Sequence, residues 1–245
     1  MKVYDIPGCD YVKRALEVAL AGQHNIALVG PSSGFRDELA NAFYELCVEV
    51  IEDLDEHNGV KLKFPQLIVS ADMDDVREVV REIVTYSGMH IVTVSLCPCG
   101  DYSRTIACRC TLEQIQSHIS KIAPILSKSE MVVPVEAEFH WQLWDAQPEP
   151  GYCDDRIIER SAHALLLQIR EFGKPASKLG WNILSKTDPN VVLTLRKALN
   201  GPVSAQTVIS TIRIAYSIAS LESTLKIETR HIIEAIQYTT WREKL

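Results

Sequence analysis

The sequence predicts an α/β fold: a three-layer α/β/α core built on a mostly parallel sheet, followed by an all-helical segment. Three observations carry this. Short apolar, β-branched runs alternate with helical patterns through the first 145 residues, as strands do when helices cover both faces of a parallel sheet. The first such run leads through a turn into a helix, the layout of a phosphate-binding loop. After Ala146-Gln147-Pro148-Glu149-Pro150-Gly151 only helical patterns remain. The expected organisation is a core over residues 1–145 and a helical lid over 154–245.

Residues 10–21 place apolar side chains at helical spacing, and Gly22 can end that helix. A strand is predicted over 25–29. A long helix is predicted from Gly34 to about Asp55, broken at His57-Asn58-Gly59. Leu67-Ile68-Val69-Ser70 reads as a short strand, and Asp74 to Tyr86 as a helix. His90-Ile91-Val92-Thr93-Val94-Ser95-Leu96 is the clearest strand, feeding a cysteine-rich loop. Thr111-Leu112-Glu113-Gln114 is a capping-box signature for a helix to Lys121. Met131-Val132-Val133-Pro134-Val135 reads as an edge strand, because proline removes a ladder donor. In the second half, Pro175, Pro189 and Gly201-Pro202 punctuate helices expected at about 155–172, 176–185, 189–199, 203–221 and 228–241.

With 245 residues, 47% apolar and 23% charged, the chain can bury a sizeable core. No run of eighteen apolar residues is present, so no membrane partner is expected. The N-terminus lacks an apolar signal core, which makes a cytoplasmic protein with reduced cysteines the expectation. A net charge of -7 with no Lys/Arg cluster argues against nucleic acid as a partner.

The loop around Gly30 lacks phosphate chemistry. G-x-x-x-x-G-K-[ST] needs a second glycine for close backbone approach, a lysine for phosphate and a hydroxyl for Mg²⁺. Those places read Phe35, Arg36 and Asp37. Two readings stay open: weak nucleotide binding by Arg36 at a helix N-terminus, or an ordinary turn with Phe35 packed and Arg36 solvated, where Asp37 and Glu38 satisfy the helix dipole.

Cys97, Cys99, Cys108 and Cys110 form C-x-C…C-x-C. Either their thiolates close a tetrahedron around a structural Zn²⁺, or they are thiols without metal. Cys9, Cys47 and Cys153 are scattered and read as packing or surface residues. Asp72, Asp74 and Asp75 fit an acidic helix N-terminus better than a metal cluster. His57, His90, His118, His140, His163 and His231 lack metal-ligand spacing, and no Ser-His-Asp or Cys-His grouping can be claimed from spacing. Trp141 and Trp144, near the linker, read as a clamp between the two parts rather than a partner anchor.

Several pieces, in order, carry a resemblance: Ala21-Gly22-Gln23-His24-Asn25 with Gly30-Pro31, Cys97-Pro98-Cys99-Gly100 with Cys108-Arg109-Cys110-Thr111, Ser204-Ala205, Ile218-Ala219-Ser220-Leu221-Glu222, and His231 with Glu234-Ala235-Ile236-Gln237-Tyr238. In these the chain resembles the magnesium-chelatase-like AAA+ ATPases of the ComM/YifB family. The resemblance implies a P-loop nucleotide-binding core with a helical lid, often assembled as a ring, and in the best-known members a motor working on DNA. It also marks what is changed. The strand that ends in Asp-Glu in the family reads Leu67-Ile68-Val69-Ser70-Ala71-Asp72. The polar sensor is replaced by Ser95 or Leu96. The Pro-Leu-Leu-Asp-Arg segment, which gives an arginine to a neighbouring subunit, reads Pro124-Ile125-Leu126-Ser127-Lys128, and the lid arginine is Gln206. Phosphoryl transfer rests on these charges; an arginine finger alone is worth about 10³ or more in rate.

The expectation is therefore a catalytically inactive AAA+ relative with no catalytic residues and a vestigial nucleotide pocket at Gly30, Gly34, Arg36, Asp37, Asp72 and Gln206. Zinc at the four cysteines is the one cofactor left open; ATP and Mg²⁺ are not expected. Its work would be protein binding, with an active AAA+ paralogue or a second copy of itself. The alternative is a residual ATP-binding protein, nucleotide-responsive or DNA-related, in which Arg36 replaces lysine and Asp72 holds the metal.

Overall fold

The computed structural model describes residues 2–6, 8–31, 35–69, 76–102, 108–136, 153–199, 201 and 203–241. A 3-10 turn at Val3–Asp5 precedes α1 (Asp10–Gly22), β1 (Ile26–Val29) and α2 (Arg36–Asn58). Then come β2 (Gln66–Ile68), α3 (Val76–Thr85), β3 (His90–Val94), α4 (Leu112–Lys128) and β4 (Met131–Pro134). The second half holds α5 (Asp154–Phe172), α6 (Pro189–Leu199), α7 (Ala205–Leu221) and α8 (Thr229–Thr239). Gly34, Asp72, Asp74, Asp75, His140, Trp141, Trp144 and the 146–151 linker lie outside the described residues.

The four strands form one all-parallel sheet in the order β2-β3-β1-β4. Alternate side chains point to opposite faces, and both faces are apolar. Ile26, Leu28, Ile91, Met131 and Val133 join a cluster with α1, α2 and the C-terminal helices. Ala27, Val29, Val92, Val94 and Val132 pack with Val79 and Ile83 of α3 and Ile122, Ile125 and Leu126 of α4. The result is an α/β core plus a helical region, and the first apolar cluster runs unbroken from the sheet into α5, α7 and α8. β4 lies at a sheet edge, where Pro134 deprives no neighbouring strand of a donor. No helix among the described residues is long and apolar enough to cross a membrane.

Local signals hold at most boundaries. Gly59, at φ +65°, ends α2 and donates to Asp55 O at 3.1 Å, while Val60 N reaches Leu54 O. The Thr111/Gln114 capping box forms in both directions, at 2.8 and 3.3 Å.

Three expectations need correction. Gly22 does not supply the left-handed residue that ends α1; Gln23 does, at φ +55°. A Cβ at position 22 would collide with Ser217 Oγ and the His24 ring, so glycine is there for close approach. The α4 helix continues past Lys121 to Lys128 with Pro124 inside it. Proline costs about 3 kcal/mol in a helix interior, but burying Ile122, Ile125 and Leu126 returns roughly 1.5–3 kcal/mol each. The helix expected at 176–185 is instead two 3-10 turns, Ala176–Lys178 and Trp181–Lys186. Leu179 between them is extended, and its carbonyl accepts from the Arg213 guanidinium instead of from a following helical turn.

Candidate functional site

The chain passes from β1 to α2 on one face of the sheet and from β3 to α4 on the other. The crevice at the C-terminal ends of β1 and β3 is thus the topological switch point, where open α/β sheets take ligands. A side chain of the protein occupies it. Arg36, in the first turn of α2, is fully buried. Its Nη1 donates to Gly30 O at 2.7 Å and to Ser95 Oγ at 2.9 Å, the residues that follow β1 and β3. Its Nε and Nη2 donate to the two carboxylate oxygens of Asp37 at 2.9 and 3.0 Å. Four of the five guanidinium N–H groups are committed by these contacts alone.

The solvated Arg36 of the simple-turn reading is thereby corrected. A buried guanidinium without partners would cost several kcal/mol, and the adjacent aspartate with the two strand ends supplies them in planar, two-point geometry. Phe35 packs against the apolar cluster, as that reading expected. Ser95 is held from both sides, since His118 Nε2 of α4 lies 3.0 Å from its carbonyl. Burial lowers the His118 pKa, which favours a neutral ring donating that bond. Gly30 abuts Val135 O so closely that a Cβ would collide with it.

Gly34 and Asp72, the other loop and metal positions, lie outside the described residues. Gln206 is not brought to Arg36. It lines a cleft with Asn25 and Glu130, which immediately precede β1 and β4, at the opposite end of the sheet.

The second group is the cysteine cluster after β3. The Sγ atoms of Cys97, Cys99, Cys108 and Cys110 all lie within 4.8 Å of one another. Cys97–Cys99 is 3.3 Å, Cys99–Cys108 3.4 Å and Cys97–Cys108 3.5 Å. Thiolates at about 2.3 Å from Zn²⁺ in a tetrahedron stand about 3.8 Å apart, so the four sulfurs fit such an ion with small adjustments. Backbone N–H groups point at sulfur, among them Tyr102 N at 3.2 Å from Cys97 and Cys110 N at 3.3 Å from Cys108. The backbone N–H of Asp101 brings the Cys99 thiol down to about 6, toward the thiolate that a metal requires. Gly100, at φ +81°, makes the turn that folds Cys99 back, with its N–H on Cys97 O. An all-thiolate set suits Zn²⁺ and other soft ions. Cys47 is fully buried and its thiol is held well above its ordinary pKa by burial. Cys9 is half-buried and Cys153 exposed.

A third constellation escaped sequence reasoning. His24, fully buried just before β1, has Nδ1 2.8 Å from Glu130 Oε2 and Nε2 2.7 Å from Ser217 Oγ. Glu130 Oε1 accepts from Arg213 Nη1 at 2.9 Å. Burial pushes the Glu130 carboxyl up, but the His24 and Arg213 contacts outweigh it and hold the group below its usual range. The connectivity is that of a Ser-His-Glu triad, yet Ser217 is 0% exposed and no carbonyl could reach its oxygen. The group is a strut joining the strand-bearing half to α7. No spacing rule could have found it, since its members lie 106 and 193 residues apart.

Residues 2–60 match the family model described as magnesium chelatase, subunit ChlI. No curated protein matches the chain. The matched segment contains α1, β1, the loop and α2, and therefore Arg36 and Asp37.

Proposed function

We propose that this chain is a magnesium-chelatase-like AAA+ relative that has given up ATP turnover and works by binding another protein. The buried Arg36–Asp37 pair carries the reading. At the place where the likeness to magnesium chelatase calls for an open, phosphate-facing cation, the cation is neutralised by its neighbour and locked to both strand ends. To bind a triphosphate, Arg36 would have to leave four hydrogen bonds, and Asp37 would set a negative charge beside a polyanion. The contacts that fill the crevice are internal, so the core and the helical region keep their packing without nucleotide. That suits a scaffold whose partner is an active paralogue or a second copy of the chain.

The cysteine cluster completes the proposal. Cys97, Cys99, Cys108 and Cys110 would hold one Zn²⁺, which supplies a four-point staple for the loop between β3 and α4. The staple would fix the end of β3 beside Ser95, the residue that anchors Arg36.

Calorimetric titration with Mg-ATP tests the first part, with no saturable binding at the Arg36 crevice as the expected result. Chemical cross-linking and sedimentation of the full chain, alone and mixed with a magnesium-chelatase-like ATPase, test the second. A strictly monomeric chain that captures no partner speaks against the scaffold role.

A further inference from the structure

The cleft that receives Gln206 has chemistry of its own. It is a half-open hollow of about 190 Å³ between the strand-bearing half and the helical half, at the end where the strands begin. That is room for about six waters at roughly 30 Å³ each, and is well under the roughly 300–1,000 Å³ of sites that enclose whole drug-sized ligands. A small anion, or one end of a larger molecule, is the size that fits.

Three cations line the cleft: Lys128 at the end of α4, Lys178 in the 3-10 turn Ala176–Lys178 and Arg213 on α7. The single carboxylate there, Glu130, is already taken by Arg213 and His24. Neither Lys128 nor Lys178 is paired with a carboxylate among the described residues. In a chain of net charge -7, a concavity with two uncompensated ammonium groups is a local inversion of sign, and such clefts concentrate anions.

A second observation points the same way. Ser177 lines the cleft and is 8% exposed, and its hydroxyl is buried without a hydrogen-bond partner. A buried orphan hydroxyl costs about 1–3 kcal/mol; Ser177 Oγ has no accessible surface as placed, so an oxyanion in the cleft would accept its proton once the side chain turns toward the lysines. Gln206 also lines the cleft; its amide donates to Ser210 Oγ at 3.2 Å and has a second N–H to offer.

We propose that this cleft is a binding site for a phosphate-like oxyanion, held by Lys128, Lys178 and the Ser177 hydroxyl with Arg213 behind them. It is distinct from the filled crevice at Arg36, which lies at the other end of the sheet, and it does not depend on the reading given to that crevice. The ligand is either free phosphate or the terminal phosphate of a larger molecule. Because the residues come from both halves of the chain, the bound anion would tie Lys128 of α4 to the turn that carries Ser177 and Lys178.

The test is calorimetry of the full chain with inorganic phosphate at constant ionic strength, chloride being the balancing anion. Saturable binding is expected, weakened at least tenfold in Lys128→Gln/Lys178→Gln, whose changed side chains are exposed and leave the core untouched. Ser177→Ala should weaken it as well. Phosphate also stabilises proteins by exclusion from their surface, so binding or thermal shifts of equal size in the native chain and the double variant would overturn the proposal, as would absence of saturable heat. Metal-free ATP separates the two sources. Displacement of phosphate by ATP, lost in the double variant, identifies a terminal phosphate, whereas phosphate binding unaffected by ATP identifies the free anion.

Discussion

Arg36 spans the C-terminal edge of the sheet to Ser95, 59 residues further along the chain, and meets its hydroxyl at 2.9 Å. That contact and the two-point pair with Asp37 turn a loop position into a structural pin. Replacing Arg36 with alanine should therefore destabilise the fold. Loss of one member of a buried pair costs about 3–5 kcal/mol; Asp37 is partly exposed, so about 2–3 kcal/mol is expected from urea unfolding. Arg36→Lys keeps the charge without the planar fork and should recover only part of the loss. An unchanged unfolding midpoint in Arg36→Ala would mean that the pin carries no load.

Acid should weaken the protein in two stages. Burial, aided by the charge of Lys178, lowers the His90 pKa to about 4. A depressed folded pKa favours the fold above the unfolded value and loses that contribution as pH falls from about 6.5. The His90 ring resonances should therefore show no titration between pH 8 and 5.5. Glu130, held below its usual range, contributes above the ordinary carboxylate pKa and loses that contribution only in stronger acid. The stability gap between the native chain and Glu130→Gln should narrow as pH drops below about 4.3, measured by denaturation at stepped pH.

Metal analysis of the purified chain should find one zinc per molecule. Cys97, Cys99, Cys108 and Cys110 should resist a thiol reagent until a chelator strips the ion, while exposed Cys153 reacts at once. Cys99→Ser should abolish stoichiometric zinc and lower the melting temperature. Free titration of all four thiols in untreated protein would remove the staple.

Gly22→Ala offers a sharp sign test. At an ordinary helical position, alanine stabilises by about 0.5–1 kcal/mol relative to glycine. Here the new methyl meets Ser217 Oγ and the His24 ring, and a loss of about 1–3 kcal/mol is expected from overpacking. A raised unfolding midpoint would show that the strut yields freely.

Much of the fold was legible in the residues. The β-branched run of β3, the Thr111/Gln114 box and Pro134 each act locally, through strand preference, capping and a missing donor, and the structure uses them as read. What was illegible depended on distant partners. Pro124 sits inside a helix because the sheet buries the residues around it. Leu179 leaves the helical pattern because Arg213, 34 residues on, takes its carbonyl. His24 becomes a strut only when Glu130 and Ser217 arrive. At the candidate site, the adjacency of Arg36 and Asp37 was visible, but the inward fold of the guanidinium depended on Ser95. Likewise, no periodicity says at which end of the sheet α7 will place Gln206.

The central claim is that the crevice at β1 and β3 is filled by the protein itself. Its most direct test is Mg-ATP titration calorimetry on the native chain and on Lys128→Gln/Lys178→Gln, which removes the cationic cleft from consideration. No saturable heat in the double variant is the predicted result. Saturable Mg-ATP binding there, competed by ADP, would show that Arg36 yields its place to phosphate and would contradict the account.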